Sequence, residues 1–377
     1  MSTAIAFARV RSDVDVLSRA GLPLLQFIDE ASAALQQAVP FVAGCLSTLD
    51  PATTMVSSTR KLGALEERND ADVPWAKVEY GGLEPTAFTA MLAAGRTSVS
   101  VAQSTGGDLD RSPRMSEVVL PRFDFGDEAR TVFAERSGAW GSLAMFRGAG
   151  EPDFDHDELA LLAELAPAFA RGLRTGLLAQ HGGDRTESGG GPAVVIIDAD
   201  DRIAASSPGA EAHLARMGLA PGGGDPRFIV HGLATGARRF ARGESDRMPR
   251  IRARTADGVW LVLQAAPLGG GGERAGDVVV TIEEARPQEV LDLVADAFGL
   301  TARERDVVGA VLRGADTREI AASLHLSPYT VQDHLKSVFD KAGVGSRREL
   351  VARVYFDQYV PRAGNALGPA GWYTAGS

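Results

Sequence analysis

The chain has a single cysteine in 377 residues, only four lysines, and aromatic residues at just 6%. The lone Cys45 excludes an intrachain disulfide and any zinc site built from several cysteines. It reads as a small buried residue in a reducing compartment. Long apolar runs are missing as well, and nothing approaches the roughly 18 uninterrupted residues of a transmembrane helix. The N-terminus has no basic region, and Arg9, Arg11, Asp13 and Asp15 interrupt any apolar segment, so no signal peptide is expected and the expected location is cytoplasmic. No Gly-Lys pair occurs, which removes the G-x-x-x-x-G-K-[ST] nucleotide loop. Positive charge is in deficit. The 39 Lys and Arg face 49 Asp and Glu, a net −10 that on its face argues against nucleic acid as a partner. The lysines are Lys61, Lys77, Lys336 and Lys341, and the arginine excess fits coding from a high-GC genome.

What is present suits a globular protein: 45% hydrophobic and 23% charged residues, over a length that makes two or three domains. Leu24, Phe27, Ile28, Ala31 and Leu35 fall at helical spacing within 23–38. Alternating segments at 42–48 and 53–58 flank the turn signal Asp50-Pro51. A helix is expected over 85–94, a strand over 97–103, and a hairpin joining 128–134 to 139–147. A long helix follows over 155–178, opened by Asp155 and Glu158 at capping-box spacing. Residues 181–191 are Gly-rich and polar and read as a linker. The next segment, 192–286, is β-rich, with strands over 193–198, 202–206, 250–254, 259–265 and 277–283 and a short helix over 208–217. That is an antiparallel α+β plan.

Several apparent sites have plainer readings. Asp153, Asp155, His156, Asp157 and Glu158 form the acidic first turn of a helix rather than a metal site. The Gly runs at 189–191 and 269–272 are turns rather than phosphate loops, because neither joins a strand to a helix. Trp75 and Trp140 read as core, and no Ser/His/Asp or Cys/His arrangement stands out, so no catalytic residue, cofactor or metal is expected and the chain does not read as an enzyme.

From 288 onward the chain changes character, with helices expected over 288–297, 302–313, 317–324, 328–342 and 346–359. The turn His325-Leu326-Ser327 joins two short helices, with Ser327 as N-cap and Pro328 at the first helical position. Val331, Leu335, Val338 and Phe339 lie on one face, where Ile320, Ala321 and Leu324 pack. Tyr329, Gln332, Asp333 and Lys336 lie on the other, at i, i+3, i+4 and i+7. Every member of that line can hydrogen-bond, as a helix read into the major groove requires. Ser327, Thr330, Lys341, Arg347 and Arg348 flank it and are expected to contact phosphate or orient the helix.

These residues resemble the LuxR-type helix-turn-helix domain. The matching positions are Leu300-Thr301, Arg303-Glu304, Glu319-Ile320-Ala321, Leu324, Ser327, Thr330-Val331, His334-Leu335, Phe339, Lys341, Gly343-Val344, Ser346-Arg347 and Glu349-Leu350. The resemblance implies a four-helix domain binding double-stranded DNA at a two-fold related operator, with its last helix often a dimer contact. Family members commonly carry Lys at the place of Gln332, and Asp333 makes this face less cationic still.

Upstream, Trp140-Gly141-Ser142-Leu143, Phe154 and the long helix resemble a GAF domain. Residues 194–198, Asp201-Arg202-Ile203 and the helix near 210–214 resemble a PAS domain. The order resembles that of a group of actinobacterial regulators, and both resemblances imply a pocket on one face of an antiparallel sheet. The expected organisation is a GAF-like sensor with N-terminal helices at 1–180, the 181–191 linker, a PAS-like domain at 192–286, a connecting helix at 287–298, the DNA-binding domain at 299–362 and a disordered tail at 363–377. The fold class is multidomain α+β, ending in an all-α four-helix domain. The expected function is a cytoplasmic, one-component transcription regulator, a homodimer on DNA that senses a small-molecule effector and has no membrane partner. The alternative is a regulator whose N-terminal domains serve only as dimerisation or protein-partner modules. The charge is unevenly spread: residues 301–360 hold nine Lys and Arg against eight Asp and Glu, so the acidity lies elsewhere in the chain.

Overall fold

The computed structural model describes residues 3–178, 193–218, 222–269 and 274–351. The expected linker at 181–191, the tail at 363–377 and most of the last expected helix, 346–359, lie outside these residues. The described residues divide into two compact units, the first made of residues up to Glu284 apart from Arg136–Gly138 and the second mainly of residues from Ala285 onward. No helix among them is long and apolar enough to cross a membrane.

The first unit holds two antiparallel-sheet modules. The first module begins with α1 (Thr3–Arg19) and α2 (Leu24–Gln36), followed by β1 (Ala43–Leu49), β2 (Val56–Gly63), α3 (Asp72–Gly81), α4 (Phe88–Ala93), β3 (Ser98–Ser100) and α5 (Val101–Thr105). It ends with β4 (Phe125–Glu135), β5 (Gly138–Gly148) and α6 (His156–Leu178). The strands form a sheet of order β2-β1-β5-β4-β3. One face is covered by α6, on which α1 and α2 pack, and Phe27, Ile28 and Leu35 of α2 with Leu162, Phe169 and Leu173 of α6 are buried. Asp155 and Glu158 do form the reciprocal cap of α6: the Glu158 amide donates to Asp155 Oδ1 at 2.8 Å and the Asp155 amide to Glu158 Oε2 at 3.1 Å.

Two strand expectations need correction. Residues 53–58 are not all strand, because Thr53 and Thr54 belong to a turn in which the Thr54 amide bonds the Asp50 carbonyl at 2.7 Å with Thr54 at φ 59°, and β2 begins only at Val56. The 97–103 strand stops at Ser100, whose hydroxyl accepts the Gln103 amide at 3.1 Å and starts α5. The β-branched residues there favour a strand, but the cap and the buried Asp127, which accepts the Ala102 amide at 2.9 Å, override that preference.

The second module runs β6 (Ala193–Ile197), β7 (Ile203–Ser206), α7 (Pro208–Met217), α8 (Arg227–Ala241), β8 (Arg250–Arg254), β9 (Trp260–Pro267) and β10 (Val278–Glu284). Its sheet order is β7-β6-β10-β9-β8, the same sequence of connections as in the first module. Its core is filled by apolar side chains such as Val195, Ile197, Leu233, Ile251, Leu261 and Val280, all fully buried. The 15-residue α8 has no counterpart among the sequence expectations. It carries Gly232 and Gly236, which weaken the helical signal. The reason for Gly232 is tertiary: a Cβ there would lie 2.7 Å from the Tyr80 ring of α3. Helix α8 packs on α3, so the two modules share a continuous interface within this unit.

The second unit is all helical: α9 (Pro287–Ala297), α10 (Ala302–Leu312), α11 (Thr317–Ser323), α12 (Pro328–Ala342) and α13 (Arg347–Val351). Helix α9 ends at Gly299 (φ 60°), and the Leu300 amide returns to the Ala295 carbonyl at 3.0 Å. Arg305 then pairs with Asp296 at 2.7 Å, fastening α9 to α10. The protein is thus a multidomain α+β chain with two antiparallel-sheet modules and an all-α helix-turn-helix unit.

Candidate nucleic-acid interface

Helix α12 is positioned by its two ends and by one apolar stripe. Ser327 accepts the Thr330 amide at 3.0 Å with Pro328 following, and Gly343 at φ 64° closes the far end. Val331, Leu335 and Val338 are buried against α10 and α11, together with Ile320 and Ala321. The turn before α12 is tight. The Leu326 amide bonds the Ala321 carbonyl at 2.9 Å, and His325 sits at φ 53°, a left-handed position usually held by glycine. Helix α11 starts on Asp316, whose carboxylate accepts the Arg318 and Glu319 amides at 2.7 and 2.9 Å, and these bonds hold it below the usual aspartate range.

Glu304 joins these pieces. It is buried in α10 and accepts from Lys341 at 2.6 and 2.8 Å and from Ser337 at 2.7 Å, both on α12. It also accepts the Thr301 amide at 2.7 Å in a capping box. Burial works to raise its carboxyl, but the hydrogen bonds from Lys341, Ser337 and Thr301 prevail and hold it at about 2. The three-residue spacing of Thr301 and Glu304 is a capping-box signal that sequence reasoning left unused. The contact of Glu304 with Lys341, 37 residues away, has no such local signal.

The expected DNA-facing residues divide into three groups. Tyr329 (74% exposed), Gln332, Asp333, Lys336 and Arg348 are open to solvent with no hydrogen-bond partner among the described residues. Ser327 and Thr330 are joined hydroxyl to hydroxyl at 2.8 Å at the helix start. Lys341 and Arg347 have partners within the domain: Lys341, still exposed, is bound to Glu304, and Arg347 donates to the Ala315 carbonyl, so both cations help to hold the domain together. The physical reason is that a buried carboxylate and the carbonyl that follows the end of α10 each need a partner, and these side chains reach them. Sequence reasoning missed Asp340, which extends the exposed line by one turn, and the exposed Arg313 and Arg318. The i+7 spacing from Asp333 would have found Asp340. Helix α12 is about 22 Å long and so spans the roughly 12 Å width of a major groove.

Comparison with known proteins identifies this unit. The family described as "Bacterial regulatory proteins, luxR family" matches residues 299–354. The monoamine regulon transcriptional regulator of Klebsiella aerogenes is 40% identical over 85 residues, covering 19% of this chain and 37% of that protein. A putative HTH-type transcriptional regulator of Mycobacterium bovis is 50% identical over 52 residues, covering 14% of this chain and 6% of that protein. The chain therefore spans well under half the length of these relatives. Among solved structures, the GAF domain of a phosphoenolpyruvate-protein phosphotransferase from Coxiella burnetii is similar at 15% identity and a TM-score of 0.30, over 45% of this chain and 93% of that one. The relatives are named as transcriptional regulators. Residues 299–354 of this chain are the helix-turn-helix DNA-binding domain of the luxR family of bacterial regulatory proteins.

Proposed function

We propose that the chain is a one-component transcription regulator that binds a two-fold related operator as a homodimer, with its first unit sensing a small-molecule effector. The observation that carries the DNA reading is the exposed line Tyr329, Gln332, Asp333 and Lys336 on a helix capped at both ends and anchored through Glu304. In this reading Gln332 contacts a base edge, Asp333 accepts from a cytosine amino group, and Lys336 reaches guanine or phosphate. Ser327, Thr330 and Arg348 contact the backbone, which orients the helix without specifying sequence. Lys341 and Arg347 serve the domain's own structure.

The luxR-family match and the regulator relatives support the transcriptional role. The two sheet modules supply room for a sensor, and an effector acts by shifting the population of conformers that suit the operator. Genome-wide capture of DNA fragments on the purified chain tests the reading, followed by footprinting of the enriched sites. A shared, two-fold symmetric sequence is expected. Gln332→Ala should relax choice at one position of the half-site, at about 1–3 kcal/mol of discrimination. Capture of fragments without any common sequence, or a Gln332→Ala footprint unchanged in affinity and selectivity, would sink the placement of α12.

A further inference from the structure

The two modules of the first unit meet along an edge strand. The Lys61 amide donates to the Gly222 carbonyl at 2.9 Å and the Gly224 amide to the Thr59 carbonyl at 3.1 Å, so residues 222–224 of the second module run antiparallel beside β2 of the first. The following residues close over a cavity on the sheet face. The Asp225 amide donates to Asp72 Oδ2 at 2.8 Å, and the Phe228 ring meets that of Tyr80 edge-on at 6.1 Å. The cavity is about 60 Å³, and its apolar wall sets the rings of Trp75, Phe88 and Phe228 among aliphatic side chains such as Val56, Leu65 and Ile229. That is well under the roughly 150 Å³ known to hold a benzene, so an aromatic ring cannot enter while 222–229 stay in place.

The polar groups of the wall are largely engaged. The Lys61 ammonium is shared by the Arg68 carbonyl, Asn69 and Asp72. Arg130, fully buried, donates to Glu128 at 2.9 Å and Glu79 at 2.7 Å, and its guanidinium lies 3.7 Å from the Phe88 ring centroid. Its Nε has no hydrogen-bond partner among the described residues. Behind it, Arg114 and Arg130 face Glu79, Glu84 and Glu128, all buried, which leaves the cluster one negative charge in excess. An anion would add a second uncompensated charge in a low dielectric, whereas a neutral acceptor would satisfy the idle donor.

We propose that this cavity is the effector site, that it takes a neutral, ring-sized molecule carrying one hydrogen-bond acceptor directed at Arg130 Nε, and that residues 222–229 are a lid which must part from β2 to admit it. This deepens the reading that the first unit senses a small molecule, and it makes ligand entry and loosening of the module interface one event. A built Cβ at Gly224 lies 3.3 Å from Thr59 Cβ, close to disulfide geometry, so the lid can be locked.

The test uses the full chain carrying Thr59→Cys and Gly224→Cys in a Cys45→Ser background, with acetophenone, ethylbenzene and benzoate as probes followed by calorimetry. The reduced protein should bind acetophenone saturably and at least tenfold more tightly than ethylbenzene, which lacks the acceptor, or benzoate, which is charged. Oxidation should abolish uptake and dithiothreitol should restore it. Ala144→Val, which adds bulk to the cavity wall, should weaken binding at least tenfold. Equal binding of the three probes, no binding of any, failure of the disulfide to form, or undiminished uptake by the oxidised protein would each overturn the proposal. Selective DNA capture by the same protein without probe uptake would remove the site while leaving the regulator reading intact.

Discussion

Glu304 shows how one carboxylate ties a small helical domain together. Its folded pKa, about 2, lies below the ordinary 4.5, so its stabilisation is full above about 4.5 and fades as pH falls toward 2. Glu84 in the first module, where burial works upward but Arg114, Thr86 and Ser112 prevail, is also held at about 2 and acts in the same window. Asp72 and Asp127 are raised by burial and oppose this in part. Acid unfolding followed by circular dichroism should therefore set in below about pH 4.5 for both units. In Glu304→Gln the acid limb of the helical unit should flatten, with about 1–3 kcal/mol lost at neutral pH; an unchanged acid midpoint for that unit would contradict the assignment. Cys45 offers a second residue-scale test. Desolvation pushes its thiol up to about 12, so iodoacetamide at pH 8 should alkylate it more than about a hundredfold slower than a free cysteine. Rapid labelling in the native state would contradict its placement.

At the scale of elements, most of the chain's punctuation was legible in its sequence. Ser327-Pro328 and the stripe of Val331, Leu335 and Val338 marked α12, and Asp155 with Glu158 marked the start of α6, because capping and period are local properties. Helix α8 and the short α5 were not legible. Gly232 and Gly236 are explained only by what packs against them, and Ser100 only by the cap and by Asp127, to which its hydroxyl donates at 2.7 Å. The turn at His325 yields a prediction of its own. Its left-handed backbone means that His325→Gly should leave the melting temperature equal or higher. His325→Val should lower stability by about 1–2 kcal/mol, measured by thermal unfolding. Equal stability of the two variants would argue against that turn geometry.

For the whole molecule, a buried ion pair between Asp50 and Arg252 links the two sheet modules. Asp50 accepts the Arg252 amide at 2.7 Å and its guanidinium at 2.6 and 3.1 Å. Asp50→Ala takes the carboxylate away from the buried Arg252 guanidinium and should cost about 3–5 kcal/mol in urea unfolding. A loss below 1 kcal/mol would mean the pair is solvated. Charge distribution gives a second prediction. Among the described residues of the helical unit, Arg286, Arg313, Arg318, Lys336 and Arg348 are the cations whose side chains make no hydrogen bond or ion pair. The salt dependence of DNA binding should then have a slope no steeper than about −4.5 per DNA-binding unit, and Lys336→Ala should reduce it by about 1. A much steeper slope would require cations from elsewhere in the chain.

Sequence alone determined the nature of the C-terminal unit, because a helix-turn-helix is built from local signals: caps, a turn and a 3.6-residue stripe read within 60 residues. It also showed that the net −10 belongs outside that unit. Tertiary structure decided what spacing does not encode. It engaged Lys341 with Glu304 and Arg347 with the Ala315 carbonyl, brought Glu304 under α12, and laid residues 222–224 of the second module along β2 of the first. Each of these joins residues far apart in the chain, and such contacts are chosen by the burial of a charge or the closing of a sheet edge, which no short stretch of sequence specifies.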